Sequence, residues 1–373
     1  MKAKYFKKTV AMAATMLLMT GAFLPNKTEA ISLGSLGTIG KSIIKGVQQA
    51  NQLSQQVNTI ENEGRVQFFN QIKEQYGVNY DYRANQQLNR IMSRMSKVLV
   101  KYDPTVEDKP YQYFVNNDTS FNAFCTLGHN ISVNIGLFQQ LNYNEDEIAF
   151  VLGHELSHGT HKDPSNNAKK KIGLSVVTEV AAEAAGGGGI ASLAKNIITN
   201  VGSAKGITLP AEKRSDRDAF VYCSEAGYNV GAGAAVWQRI TEMTEGQKAS
   251  SFNINRIFNP SDHPQHKNRR DDYSKTITTY SNKVVTVDAE TGTISVNKTP
   301  IGVPAAAFGQ TAKERAYMVA GALAGIYHKD GKATYKASIS RGTVYLGDTE
   351  VLTITNGDDG RAWVDALNKA NGF

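Results

Sequence analysis

Apolar residues recur at helical spacing in the first third of the chain. Leu53, Val57 and Ile60, then Val66, Phe69 and Ile72, run through a Gln-rich stretch that stops at Gly77, which predicts amphipathic helix with a glycine end. A second helix is predicted over residues 83–101. Tyr111–Val115 and Ile131–Ile135 cluster or alternate apolar residues as strands do, with turn-forming Asn116-Asn117-Asp118 and Gly128-His129-Asn130 beside them. Asn144 followed by Glu147 has the spacing of a capping box, and Ile148, Val151 and Leu152 give the helix behind it an apolar side. Another helix is predicted to start at Pro210 and close at Gly227. From about Thr276 the texture changes. Val284–Val287 and Thr293–Val296 flank Asp288-Ala289-Glu290-Thr291-Gly292 like a hairpin, Thr311 and Glu314 cap a helix through Ile326, and two strands and a short helix follow. The pattern predicts an α+β fold: a mainly helical domain with a small sheet, plus a small α/β C-terminal module.

Composition then narrows the function classes. The chain has 373 residues and a formal net charge of +7, but five of its lysines and one acid lie in residues 1–30, leaving +3 for the remainder. Nucleic acid is therefore not an expected partner, because a phosphate-binding face needs a larger basic surplus. Lys2–Lys8 form a positive n-region, Val10–Leu24 an apolar run, and Thr28-Glu29-Ala30 a small-residue cleavage site, the pattern of a secretory signal peptide. The apolar run is short for a membrane span. Residues 172–201 carry Glu179, Glu183 and Lys195 around a run of four glycines, so no transmembrane segment is expected there either. The expected location is outside the cytoplasm, in a periplasm or beyond the cell.

The chemistry is carried by His154-Glu155-Leu156-Ser157-His158. Inside a helix the two histidines of this HExxH motif lie one turn apart on one face and can bind a single Zn²⁺ at about 2.0 to 2.1 Å. Glu155 beside them is placed to take the proton of a metal-bound water as it attacks a carbonyl. A third ligand is needed. The helix after Pro210 offers Glu212, with Asp216 one turn later as a partner that orients a ligand. The same acidic first turn also suits an ordinary helix start.

Five separated blocks then converge. Asn122-Ala123-Phe124 with Gly128, Ile131–Leu137, Glu145–His158, Glu212–Asp216 ahead of Ala226-Gly227-Tyr228, and His263-Pro264 with Arg269 resemble the M48 zinc metallopeptidases in order and spacing. Glu61–Gly64 and Asn85–Met95 look like that family's N-terminal helices, so the likeness covers roughly residues 57–273. The resemblance implies His154, His158 and Glu212 as zinc ligands, Glu155 as base, Asp216 as the paired acid and a role at the cleft for His263. Two departures stand out: Ser215 where the family has Ala, and Cys125–His129 in place of its usual rim loop. Peptidases of this type hold substrate as an added strand along a sheet edge. Asn122, Ala123, Ile131 and Val133 are expected at that edge; a buried strand with no free edge is the alternative.

The remaining residues have plainer readings. His161 is expected at a helix end, His129 and His266 in loops, and His328 at the end of a helix. Arg269 is expected to pair with an acid. The Gly-rich insert reads as a lid over the cleft or as core helices with a flexible joint. Cys125 and Cys223 are the only cysteines; an oxidising compartment permits a disulfide, and two buried thiols fit equally. The domain division expected is residues 1–30 as signal peptide, 31–273 as the peptidase domain and 274–373 as an accessory module able to dock an envelope partner. Two functions fit: an exported zinc endopeptidase acting on misfolded or unassembled envelope or extracellular proteins, or an assembly factor that grips extended chains and rarely cuts. Both act on polypeptides.

Overall fold

The computed structural model describes residues 51–52, 54–175, 197, 208–245, 266–331 and 335–373. The expected leader, the Gly-rich insert beyond Ser175 except residue 197, and His263 lie outside them. The fold is α+β, mainly helical with three small three-stranded sheets.

Residues 54–62 are helical, and Gly64 separates them from α1 (Arg65–Tyr76), which ends at Gly77 with φ 69°. The predicted helix is thus two pieces, since glycine weakens a helix interior. Val66, counted in the apolar pattern, points outward, and Phe68 takes a buried position instead. α2 (Tyr82–Leu99) begins where the Asp81 side chain accepts from the Ala84 N–H, and buries Ala84, Leu88, Ile91, Met92, Met95, Val98 and Leu99 along one side. A single turn, α3 (Thr105–Asp108), leads into the first sheet.

That sheet contains β1 (Gln112–Asn116), β2 (Ala123–Thr126) and β3 (Asn130–Asn134) in the order β1-β3-β2, with β1 parallel and β2 antiparallel to β3. β2 was not legible as a strand: Cys125 and Thr126, expected in a rim loop, are its last two residues. One face, with Val115, Ala123, Cys125, Ile131 and Val133, joins the main core; the other, with Phe114 and Phe124, packs on Phe68, Phe69 and Ile72.

After α4 (Ile135–Gln140) comes α5 (Glu145–Thr160), which packs against α2, β2, α7 (Leu209–Glu225) and α8 (Ala232–Glu245) and is buried from Glu147 to Gly159. At its N-terminus Asn144 accepts from the Glu147 N–H, but the Glu147 carboxylate turns inward to Gln310 and Arg239, so only half of the expected capping box forms. α5 and α7 approach closely because Gly153 has no side chain: a Cβ there would stand 3.4 Å from the Ala219 Cα. α6 (Asp163–Ser175) follows α5, and α9 (His266–Tyr280) packs on α8.

The C-terminal part comprises the meander β4 (Val285–Val287), β5 (Ile294–Val296) and β6 (Thr299–Gly302), then α10 (Ala312–Asp330), the meander β7 (Ala337–Ser340), β8 (Thr343–Leu346) and β9 (Thr349–Thr353), and α11 (Gly360–Ala370). The hairpin and the Thr311–Glu314 capping box form as read. Residue 274 falls inside α9, α10 packs on α8 and α9, and buried residues from both sides form one cluster. Arg239 of α8 bridges Glu147 of α5 at 3.5 Å and Glu314 of α10 at 3.2 Å, with all three side chains buried. In this shared core α8 and α9 cover the apolar side of α10.

Candidate active site

α5 presents His154 and His158 on one face, and α7 brings Glu212 across from them; all three are at most 4% exposed. The Nε2 atoms of His154 and His158 are 3.2 Å apart, Glu212 Oε2 is 3.3 Å from the first and Oε1 3.4 Å from the second. Ligand atoms about 2.0 Å from a tetrahedral zinc stand about 3.3 Å from one another. Among the described residues this is the group of His, Cys, Asp and Glu side chains close enough to share a metal ion.

The tautomers agree with that donor set. His154 Nδ1 donates to Asp216 Oδ1 at 3.0 Å, and His158 Nδ1 donates to Asp163 Oδ2 at 2.9 Å. With hydrogens on Nδ1, the rings in their neutral form would turn two Nε2 lone pairs toward each other, an arrangement that a shared cation satisfies. Asp216 is in turn held by Arg269 from α9 and lies in reach of the ring of His154, while Arg269 stacks over Trp237 at 3.6 Å from its centroid. Tyr273 donates to the Asp216 carbonyl at 2.7 Å. Arg269 thus sits with an acid, as read. Asp163 and its partner Arg214 were missed. The signal for Asp163 was present in the sequence, an Asp-Pro pair five residues after His158.

The carboxylates around the two rings favour positive charge at this point, carried either by protons on the rings or by a metal ion. Burial alone would lower His158, but the hydrogen bonds to Asp163 and Glu212 overcome it and raise the imidazole to about 10. His154 is raised in the same way, by Asp216 and Glu212 against burial. Burial would raise Glu212, yet the two histidines hold it far below the ordinary carboxylate range. Burial would also raise Asp216, and Arg269 with His154 brings it down to about 2. Glu155 goes the other way: burial pushes its carboxyl up, and the neighbouring histidines offset this only in part. A raised carboxyl is what a proton carrier needs.

Glu155 is tied to the sheet. Its Oε2 accepts from the backbone N–H of Cys125 at 3.2 Å. Because the Asn122 carbonyl pairs with Asn134 of β3, strand alternation turns the backbone groups of Ala123 and Cys125 away from β3. This corrects the placing of Ile131 and Val133 at a substrate edge: β3 is the central strand and both side chains are buried in the core, while β2 is the edge beside Glu155. Asn122 and Ala123 do lie at the start of that edge strand, both buried.

Other histidines take supporting positions. His161 is the C-cap of α5, and its Nε2 meets Asp218 Oδ2 at 2.9 Å, the oxygen that also accepts from Ser157. His129 lies in the turn between β2 and β3, as read, and is buried there; it donates from Nδ1 to the Lys109 carbonyl and stacks on Tyr111. His266 is the first residue of α9 and stacks on Trp237, and His328, near the end of α10, donates to the Tyr280 carbonyl. Cys125 and Cys223 are both free and buried. They meet the same helix at different glycines: Cys125 Sγ would stand 2.9 Å from a Cβ on Gly159, and Cys223 Sγ 3.5 Å from one on Gly153.

Comparison with known proteins agrees with this geometry. The family model for peptidase family M48 matches residues 83–277, more than half of the chain, and the protein belongs to that family. The beta-barrel assembly-enhancing protease of Yersinia pestis is 34% identical over 101 residues, 27% of this chain and 20% of that protein. The metalloprotease LoiP of Escherichia coli K12 is 24% identical over 163 residues, 43% of this chain and 63% of LoiP. A further relative, from Vibrio cholerae serotype O1, is 26% identical over 140 residues, 36% of this chain and 29% of the relative. The chain thus matches less than two thirds of the length of each of these relatives. Among the described residues, no helix is long and apolar enough to cross a membrane.

Proposed function

We propose that the protein is an exported zinc endopeptidase acting on extended segments of misfolded or unassembled envelope or extracellular proteins. The observation that carries this reading is the triangle of His154, His158 and Glu212 donor atoms, 3.2 to 3.4 Å on a side, with Glu155 next to it on the same helix. Zinc held by those three side chains would act as a Lewis acid and lower the pKa of a water. Glu155 takes the proton of the attacking water and returns it to the leaving amine. The Cys125 N–H holds one carboxylate oxygen against the sheet and leaves the other to carry the proton. Asp216 and Arg269 keep His154 in the tautomer with its Nε2 free for metal.

Substrate is proposed to lie along β2, using the backbone groups of Ala123 and the Cys125 carbonyl, since the Cys125 N–H is held by Glu155. Such binding reads backbone rather than side chains, which suits a peptidase that clears unfolded chains. Export is supported by the leader-like residues 1–30 and by the two relatives, from Yersinia pestis and Vibrio cholerae, that are named for beta-barrel assembly. His263 is proposed to serve the cleft, on the resemblance of His263-Pro264 to the family block. The second reading, an assembly factor that grips but rarely cuts, shares the metal and differs in turnover. Incubation of the purified chain with casein and with a folded, protease-resistant protein separates the two. Loss of casein alone, abolished by a chelator and restored by zinc, is the result expected; binding of casein without cleavage would favour the assembly factor.

A further inference from the structure

Each histidine of the site is backed by its own carboxylate and its own arginine. Behind His154 stand Asp216 and Arg269; behind His158 stand Asp163 and Arg214. The first pair comes from distant helices, α7 and α9. The second uses a local turn. Asp163 opens α6 five residues after His158, and α7 supplies Arg214 between Glu212 and Asp216.

We infer that Asp163, pinned by Arg214, is a positioning residue that fixes the tautomer and ring angle of His158 for metal, resting on the zinc reading above. Three observations carry it. The Asp163 carboxylate is turned under His158, and one oxygen, Oδ2, accepts from both the imidazole Nδ1 at 2.9 Å and Arg214. A hydrogen on Nδ1 leaves the lone pair on Nε2, facing His154 and Glu212. The turn that brings Asp163 back is held in an uncommon shape: Lys162 adopts φ 56°, the left-handed region that a residue with a Cβ disfavours. Finally, Asp163 is 9% exposed, where an acid serving only the helix dipole would be left in water. Ser215 Oγ also lies 3.2 Å from the same Nδ1, but a neutral hydroxyl can either donate or accept, so it does not fix the tautomer alone.

The test is zinc affinity, measured by competition with a chromophoric chelator on the purified chain and on Asp163→Ala, Asp163→Asn, Arg214→Met and Asp163→Ala/Arg214→Met. The melting temperature of each metal-free form and the visible spectrum of each cobalt-substituted form are recorded alongside. Asp163→Ala is expected to weaken zinc binding about 10 to 100-fold, the range for groups that orient metal ligands. Asp163→Asn keeps an acceptor without the charge and should recover part of the loss. Arg214→Met should weaken binding less, and should add nothing once Asp163 is gone, because it acts through that carboxylate. The cobalt spectrum should change in Asp163→Ala while the metal-free melting temperature does not. Equal zinc affinity in Asp163→Ala and wild type overturns the inference. So does a loss of affinity matched by lower metal-free stability, with no recovery in Asp163→Asn and an unchanged cobalt spectrum. A wild-type chain that takes up no zinc fails the metal reading itself and this inference with it.

Discussion

The backbone N–H of Cys125 donates to the side chain of Glu155 at 3.2 Å, so the edge strand of the sheet and the carboxylate of the HExxH motif are joined by a single hydrogen bond. The Cys125 side chain points elsewhere, into the contact between β2 and the end of α5 at Gly159. Cys223 meets the same helix six residues earlier, at Gly153. The two thiols therefore face one helix rather than each other. Thiol counting on the denatured, unreduced chain should find two, and reductant should leave the melting temperature unchanged. A count of zero would mean a disulfide and a different packing of β2.

Gly159 sits where no larger residue fits. A Cβ there would run into the Tyr111 hydroxyl and stand 2.9 Å from Cys125 Sγ. Gly159→Ala should cost about 1 to 3 kcal/mol, the usual penalty for overpacking. Urea unfolding measures it, and a variant as stable as wild type would show that the β2–α5 contact can open without loss.

Asp216 is expected to matter through His154. Asp216→Asn keeps the size of the side chain but removes the charge that Arg269 and His154 share, and zinc affinity should fall about 10 to 100-fold. Asp216→Ala should also destabilise the chain, because it leaves the Arg269 guanidinium buried with its carboxylate partner gone. Full affinity in Asp216→Asn would reduce Asp216 to an ordinary residue of the first turns of α7.

Stability should respond to pH through Glu147 and Glu314. Burial pushes each carboxyl up to about 7 against the pull of Arg239, which lies between them. An unfolded glutamate titrates near about 4.3. Between the two values the folded chain holds more protons than the unfolded one, so the contribution of these groups falls as pH rises and is lost above about 7. Glu314→Gln removes one of the titrating groups. Its melting temperature relative to wild type should therefore rise as pH goes from about 5 to about 7.5; a constant difference would contradict the protonation assigned to the pair.

Much of this was legible in the residues. Helices with a strong apolar side or a clear cap, such as α2 behind Asp81 and α10 behind Thr311, follow their patterns. The candidate metal-binding group was visible because HExxH fixes two side chains on one helical face by chain geometry alone. What was hidden depends on tertiary contacts. β2 is four residues long, buried throughout, and has no alternation to show. Its presence moved the sheet edge from Ile131–Val133 to Ala123–Thr126. Asp163 could not be told from a helix-start acid until its carboxylate was seen under His158. The C-terminal part read as a separate module because its two meanders change the local texture. The Glu147–Arg239–Glu314 contact that joins it to α5 spans 167 residues of sequence, from Glu147 to Glu314, and leaves no local trace.

The measurement that bears most directly on the central claim is metal content together with casein digestion, on the wild-type chain and on Glu155→Gln side by side. Both should retain about one zinc per chain, because Glu155 is not among the three side chains that would hold it. Wild type should digest casein, and the variant should lose at least about 100-fold of that rate, the lower range for a positioned general base. Equal digestion by the two proteins, or a wild-type chain that digests casein without taking up metal, would contradict the account.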